Sequence, residues 1–349
     1  MRRSVTPRGP AVDLAGNDYL GLSRDPRVLA AAARALAEHG LGATGSRLVR
    51  GTTELHVELE AALASFMGTQ SALVYSSGYL ANLGAIRALA GLSPDTLLVS
   101  DAHCHASMID GCRLARAETV VFRHGDVAHA ASLLPPGRPA VILTESVFSV
   151  DGDLAPLAQL HALARDRRAL LLVDDAHGLG VTDAVRFLAG EPDVVITATL
   201  SKSLGGAGGV VGGPAALIAH LIDTSRTFIF DTAPPPAVMA GVLAALGIVR
   251  SADHLRAELH ARAARLSRLD GCTNPEPRGG VVSLVAPSAE SAWEWATACR
   301  DKGVHVGCFR PPSTPDGRSR LRLTVNAGVP DEDFAAALEV IEACRPCAE

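Results

Sequence analysis

Aromatic residues are scarce: 8 Phe, 3 Tyr and 2 Trp make up 4% of 349 residues, so the core has to be filled by aliphatic side chains. Charge of one sign is lacking too. A formal net charge of −5 with no long basic run excludes the electrostatic footprint of a nucleic-acid binder and leaves phosphate recognition to a local site. Long uninterrupted hydrophobic runs are missing as well. The longest uncharged stretch, Ser203 to Ile222, is interrupted by Gly205, Gly206, Gly208, Gly209, Gly212, Gly213 and Pro214, which a lone helix in lipid does not tolerate; no membrane span is expected. The first residues carry charge and proline where a signal peptide would carry an apolar stretch. Seven cysteines (104, 112, 272, 299, 308, 344 and 347) are odd in number and scattered, which reads as reduced thiols in the cytoplasm. Cys344 and Cys347 form a CxxC, but no second pair lies near it, so surface thiols are expected there and not zinc.

What is present suits an ordered α/β chain. Hydrophobic residues at 48% against 20% charged exclude disorder as the main state, and a length of more than 300 residues suggests two domains. From Ser71 to about Val211, β-rich runs (SALVY, TLLVS, TVVF, PAVILT, ALLLVD, DVVIT) alternate with helical patterns. This is the pattern of a mostly parallel sheet with helices on both faces, and the all-apolar ALLLVD and PAVILT suit strands covered on both sides. Helices are expected at Pro26–His39, at about Thr53–Met67, after the prolines 234–236 to about Val249, and onward through Arg268. The remainder reads VVSLV strand, Ser288–Lys302 helix, HVGCF strand, RLRLTV strand and Asp331–Cys344 helix, a smaller α+β domain. The expected division is a segment 1–20, a large domain 21–235, and a C-terminal α+β domain 236–349 that includes the linking helix.

Several strand ends carry chemistry. Gly40-Leu-Gly-Ala-Thr-Gly45 matches GxGxxG, but it follows a helix where a dinucleotide turn must follow a strand, so it reads as a glycine-rich helix-ending loop. Lys202 follows DVVITAT between Ser201 and Ser203 and ahead of a glycine run, which places an amine at the C-terminal end of a strand, where α/β sheets bind ligands. A lysine there reads either as a Schiff-base former, if its surroundings lower its pKa, or as a surface cation in a flexible loop. The hydroxyls of Thr199 and Ser201 suit a phosphate. In LLVD-D-A-H-G, Asp174 ends an apolar strand three residues before His177; a carboxylate so placed suits a protonated pyridine nitrogen better than a metal, for want of further ligands. His105 lies in S-D-A-H-C-H-A-S and suits stacking on a ring. A zinc site at His103, Cys104 and His105 fails because adjacent side chains do not converge on one ion. Ser149 sits in T-E-S-V-F-S-V-D-G-D, which also reads as a polar loop. Ser76-Ser77-Gly78-Tyr79 opens a helix after SALVY, an anion-binding junction, where Tyr79, one of three tyrosines, suits stacking.

Taken together these residues resemble the α-oxoamine synthases. T-x-T-L-S-K-S-L-G, V-D-D-A-H-G, S-D-x-x-x-H-A-S, T-E-S-V-F-S-x-D-G-D and Asn17-Asp-Tyr-Leu-Gly-Leu22 carry the likeness, with G-S-R-L-V-R-G-T-T-E-L-H, F-I-F-D-T and C-F-R-P-P-S, over about Leu14 to Val340. The resemblance implies a fold-type I pyridoxal 5'-phosphate enzyme, a homodimer that joins an amino acid, L-alanine here, to an acyl-CoA or acyl-carrier substrate with loss of carbon dioxide. It implies that Lys202 holds the cofactor, His105 stacks on the ring, Asp174 pairs with its nitrogen, and His177 and Ser149 contact the ring oxygen or its surroundings. Gly78, Tyr79 and Thr199 would place the cofactor, and Thr232 would reach the phosphate from a neighbouring subunit. His105, Arg310, Ser313 and Arg322 would meet substrate, the arginines through their planar forks. Two departures stand out: only sixteen residues precede Asn17, so contacts from a leading helix are expected to be missing or replaced by Arg2, Arg3 or Arg8, and the loop VTDAVRFLAG after Gly180 is shorter than in relatives. A nucleotide-binding oxidoreductase and a catalytically silent binder of the same cofactor remain the readings of other kinds.

Overall fold

A computed structural model describes residues 12–314 and 316–346; Arg2, Arg3, Arg8 and Cys347 lie outside the described residues. Eleven strands are described: β1 (Val12–Leu14), β2 (Ser71–Tyr75), β3 (Leu97–Asp101), β4 (Thr119–Phe122), β5 (Ala140–Glu145), β6 (Leu170–Asp174), β7 (Val194–Thr199), β8 (Gly209–Gly213), β9 (Val281–Val285), β10 (Val304–Phe309) and β11 (Arg320–Thr324). They form a seven-stranded sheet in the order β2-β8-β7-β6-β5-β3-β4 and a four-stranded sheet in the order β1-β10-β11-β9. In the large sheet only β8 runs antiparallel to its neighbours.

Alternation along the strands divides the aliphatic side chains between two cores. Leu171, Val173, Ile142 and Val194 pack into one, Leu172, Val141, Leu143 and Val195 into the other. The first core continues into the smaller sheet through Leu284, Leu321 and Leu323. Helix boundaries follow local chemistry. Helix α1 (Pro26–His39) begins with proline behind an Asp25 cap and ends at Gly40, whose φ of 78° no side chain adopts readily. The GxGxxG stretch is thus a helix terminus, as its place in the sequence demands. Helix α2 (Glu54–Met67) follows a Thr53–His56 capping box.

Two strands lay outside the reading of the sequence. β1 is a short edge strand that ties the amino-terminal segment to β10, with nothing in its three residues to announce it. β8 hides in the glycine run, since glycine is a poor strand former. Its first residue, Gly209, must lack a side chain because a Cβ would sit 2.3 Å from the Ser77 carbonyl oxygen. Close approach of β8 to the turn after β2 therefore explains the composition that concealed the strand.

Candidate active site

β2, β3, β5, β6 and β7 all deliver residues to one edge of the large sheet, and parallel pairing sets those residues level. Glu145 of β5 lies opposite Asp174 of β6, and Asp174 opposite Thr197 of β7. A cavity of ≈190 Å³ opens at this edge, lined by Gly78, Tyr79, His105, Asp174, His177, Thr199 and Lys202, all singled out from the sequence, together with Asn82, Ser107, Glu145 and Ala176. Gly78 starts helix α3 (Gly78–Ala90) behind a Ser77 cap, and the first-turn N–H groups of a helix have no partner within it. A Cβ on Gly78 would stand 2.9 Å from the Thr199 Cβ, so glycine keeps this junction tight. His105 caps helix α4 (Ala106–Ala115), its Nδ1 accepting from the Ser107 N–H at 3.2 Å and lying 2.7 Å from the Ser107 hydroxyl.

The wall is electrostatically polarised. Lys202 Nζ lies 2.8 Å from His177 Nε2, and burial pulls the Lys202 amine down from 10.5 to about 8, with Asp174 opposing that fall and Arg322 adding to it. Burial, then the neighbouring Lys202 and Arg322, hold His177 well below the ordinary imidazole range, so it is neutral. Burial also lowers His105. The Asp174 carboxylate accepts from Asn82 Nδ2 at 2.7 Å and from the Ala176 N–H at 3.0 Å. Asn82 is itself fixed: it donates to Ser107 Oγ at 2.9 Å and accepts from Thr197 Oγ1 at 2.5 Å. Burial beside Asp174 raises Glu145 well above the carboxylate range, and its Oε1 is buried without a partner.

Of the remaining sequence candidates, Ser149, Thr232, Arg310, Ser313 and Arg322 do not line the cavity. Arg322 on β11 is buried and donates from Nε to the Ser149 carbonyl at 2.6 Å and from Nη2 to Asn17 Oδ1 at 3.1 Å. It thereby joins the smaller sheet to the Ser149 loop. Tyr79, 42% exposed, stands at the rim with its hydroxyl 2.6 Å from Asp110 Oδ2. Arg310 lies over the Trp293 ring, 5.4 Å from its centroid, and Ser313 closes the following turn with an N–H donated to the Arg310 carbonyl at 2.8 Å; neither lines the cavity. Thr232 is exposed and pairs with Ser46, beside Asp231, which accepts from Ser76. Asn82, Ser107 and Glu145 fall within the sequence motifs but were given no role there, although a lone amide in the apolar run Leu80-Ala-Asn-Leu83 is a signal that it is buried with partners. Away from the cavity, His161, Glu191 and Asp193 bring possible ligand atoms within 4.8 Å of one another, but His161 already bonds Asp193 at 3.1 Å and Arg165 approaches Glu191 at 3.7 Å.

Residues 10–341 match the family model of class I and II aminotransferases. The chain is 51% identical over 354 aligned positions to the 8-amino-7-oxononanoate synthase of Mycolicibacterium gilvum, covering 98% of this chain and 92% of that one. Among solved structures it superposes on a serine palmitoyltransferase from S. paucimobilis with bound PLP–myriocin at a TM-score of 0.90 and 31% identity, covering 96% and 87% of the two chains. The 8-amino-7-oxononanoate synthase of Francisella tularensis gives a TM-score of 0.80 at 25% identity, covering 95% and 97%. Among the described residues no single helix is long and apolar enough to cross a membrane.

Proposed function

Because the chain belongs to the class I and II aminotransferases and, within them, to the 8-amino-7-oxononanoate synthases, we propose that its cavity joins L-alanine to pimeloyl-CoA or a pimeloyl-carrier equivalent. Carbon dioxide and the thiol leave and 8-amino-7-oxononanoate, an intermediate of biotin synthesis, is formed. The observation that carries this reading is a buried amine, Lys202, sharing one small cavity with a carboxylate, Asp174, that Asn82 and a backbone N–H hold in place.

Pyridoxal 5'-phosphate is the cofactor, and the donor set fits it. The cavity offers an amine with a depressed pKa, a fixed carboxylate for a ring nitrogen, an imidazole wall, a helix N-terminus for phosphate, and a buried Glu145 oxygen with no protein partner. When bound, the cofactor supplies an electron-poor ring that stabilises negative charge at the amino-acid Cα. Lys202 Nζ would hold it, Asp174 would keep the proton on its ring nitrogen, and His105 would lie on its face. Gly78, Tyr79 and Thr199 would place it, with His177 and Ser149 near the ring oxygen and Thr232 reaching the phosphate in a neighbouring subunit. The Lys202 amine would then serve as the general base that takes the Cα proton of L-alanine and the acid that returns one. Arg322, buried behind the cavity, would meet a carboxylate, and Arg310 and Ser313, on the turn after β10, would meet substrate.

The same reading makes the active form a cytoplasmic homodimer, built of a large cofactor-binding domain, 21–235, and a C-terminal domain, 236–349, behind the segment 1–20. Glycine C-acetyltransferase, 5-aminolevulinate synthase and serine palmitoyltransferase activities differ in amino acid and acyl chain, and the likeness to a serine palmitoyltransferase structure makes the amino acid worth testing. The assay is release of CoA from pimeloyl-CoA by the cofactor-loaded protein with L-alanine, glycine or serine. Turnover with L-alanine alone supports the proposal. Turnover with serine or glycine instead moves the chain to another branch, and no turnover of any pair, with the visible colour intact, marks a silent binder.

A further inference from the structure

Tyr19 does not line the cavity, yet its hydroxyl is 2.6 Å from His177 Nδ1 and 3.2 Å from Asn17 Oδ1. His177 Nε2 faces Lys202 Nζ at 2.8 Å. Lysine, histidine, tyrosine and asparagine thus form one line of hydrogen bonds that runs from the reactive amine into the protein. Tyr19 is fully buried. Its ring is wedged so closely on Gly280 that a Cβ there would lie 2.7 Å away, and its carbonyl accepts the Ala327 N–H at 2.8 Å. The hydroxyl therefore turns without the residue moving.

Counting protons along the line gives two arrangements. An ammonium has donors only, so while Lys202 is charged, His177 Nε2 must accept. The single imidazole proton then sits on Nδ1 and is donated to the Tyr19 oxygen, whose own proton points to Asn17 Oδ1. When Lys202 is a free amine it accepts as well as donates, so Nε2 is released to donate, and when an oxygen acceptor takes its place Nε2 must donate. The imidazole proton then sits on Nε2, and the Tyr19 proton swings to Nδ1. One proton leaves the line in all, from Lys202, and none is left over. A hydroxyl serves both arrangements because it donates and accepts, whereas a backbone carbonyl or a carboxylate would lock Nδ1 as a donor. Lys202, Arg322 and His105 are the cationic or titratable groups around His177 that hold it neutral along with burial, and Tyr19, whose oxygen also accepts from the Arg322 guanidinium in both arrangements, is the titratable group on its far side.

We propose that Tyr19 is a positioning residue that lets His177 exchange tautomers in step with the charge on Lys202, so that both imidazole nitrogens stay bonded throughout the reaction. The role rests on Lys202 being the cofactor-bearing amine, but part of its test does not. In cofactor-free protein, nitrogen NMR of His177, assigned with His177→Gln, is followed through the titration of Lys202. The imidazole proton is expected to move from Nδ1 to Nε2 in the wild type, and Tyr19→Phe, which leaves Nδ1 without the hydroxyl in either arrangement, should shift the pH at which it moves; the same exchange at the same pH in Tyr19→Phe overturns the proposal. In the loaded enzyme, Tyr19→Phe should shift the pH midpoint of the visible absorbance by about half a unit or more and lower kcat about tenfold with KM for L-alanine nearly unchanged. An unmoved band and kcat also refute it. Should Tyr19→Phe fail to fold, 3-fluorotyrosine at position 19 keeps the shape and makes the hydroxyl a better donor, and it must move the same midpoint. If the wild type never develops a visible band, the cofactor reading fails while the NMR result still decides the role of Tyr19.

Discussion

Lys202 should behave as a nucleophile at neutral pH. Burial lowers its pKa from 10.5 to about 8. At pH 7 roughly one amine in ten is then free, against about one in 3,000 for an ordinary lysine, a gain of roughly 300-fold in reactive species. The direction of the pH dependence follows from the sign of the shift: below about 8 the ammonium has no lone pair, and above it the amine is available. The assay is covalent capture of pyridoxal phosphate by cofactor-free protein, trapped with borohydride over a series of pH values and read at Lys202 by peptide mass. The rate should climb with pH and level off near 8. Two variants sharpen the test because their effects have opposite signs. The Asp174 carboxylate holds the lysine up and the Arg322 guanidinium pushes it down, so Asp174→Asn should move the midpoint lower and Arg322→Gln higher. A wild-type midpoint near that of a solvent-exposed lysine, or shifts of the same sign in both variants, would refute the electrostatic account.

Asn82→Ala removes a donor to the Asp174 carboxylate and leaves Ser107 and Thr197 short of partners in a buried site. Urea unfolding of the cofactor-free protein should show a loss of about 3 kcal/mol, since one charged and two neutral hydrogen bonds go; a loss below about 1 kcal/mol would mean that water substitutes for the amide. Asp174→Asn should leave cofactor capture intact yet nearly abolish exchange of the alanine Cα proton with solvent, because the ring nitrogen loses the group that keeps it protonated; exchange at the wild-type rate would contradict that role. Gly209→Ala would place a Cβ 2.3 Å from the Ser77 carbonyl oxygen and 2.6 Å from Gly78 N. Backbone must then separate at the start of α3, at a cost of about 1–3 kcal/mol, and cofactor affinity measured by absorbance titration should fall about tenfold or more.

The sequence was most explicit where one residue type answers one local demand. Pro26 and Gly40 bracket α1 as a helix start and stop require, and the all-apolar 170–173 run could only be a strand covered on both faces. Site residues were legible for a related reason: Lys202, Asp174, His105 and Gly78 each stand just at or beyond the end of such a strand, so finding the strands located the chemistry. Asn82 and Glu145 were given no role from the sequence, because their importance lies in Asp174, which the packing of α3 brings to Asn82 across 92 residues and the sheet register sets level with Glu145. Tyr19 shows the limit most clearly. Its motif marked it as part of a family pattern, but its 158-residue separation from His177 is closed by the segment 12–22 joining the smaller sheet through β1 and resting on Gly280, which immediately precedes β9. The short edge strand that no local pattern announces is therefore what carries a hydroxyl to the far side of His177. Residues 12–22 are tied to the cavity wall through that hydrogen bond, and through the Asn17 contact to Arg322, without lining the cavity themselves.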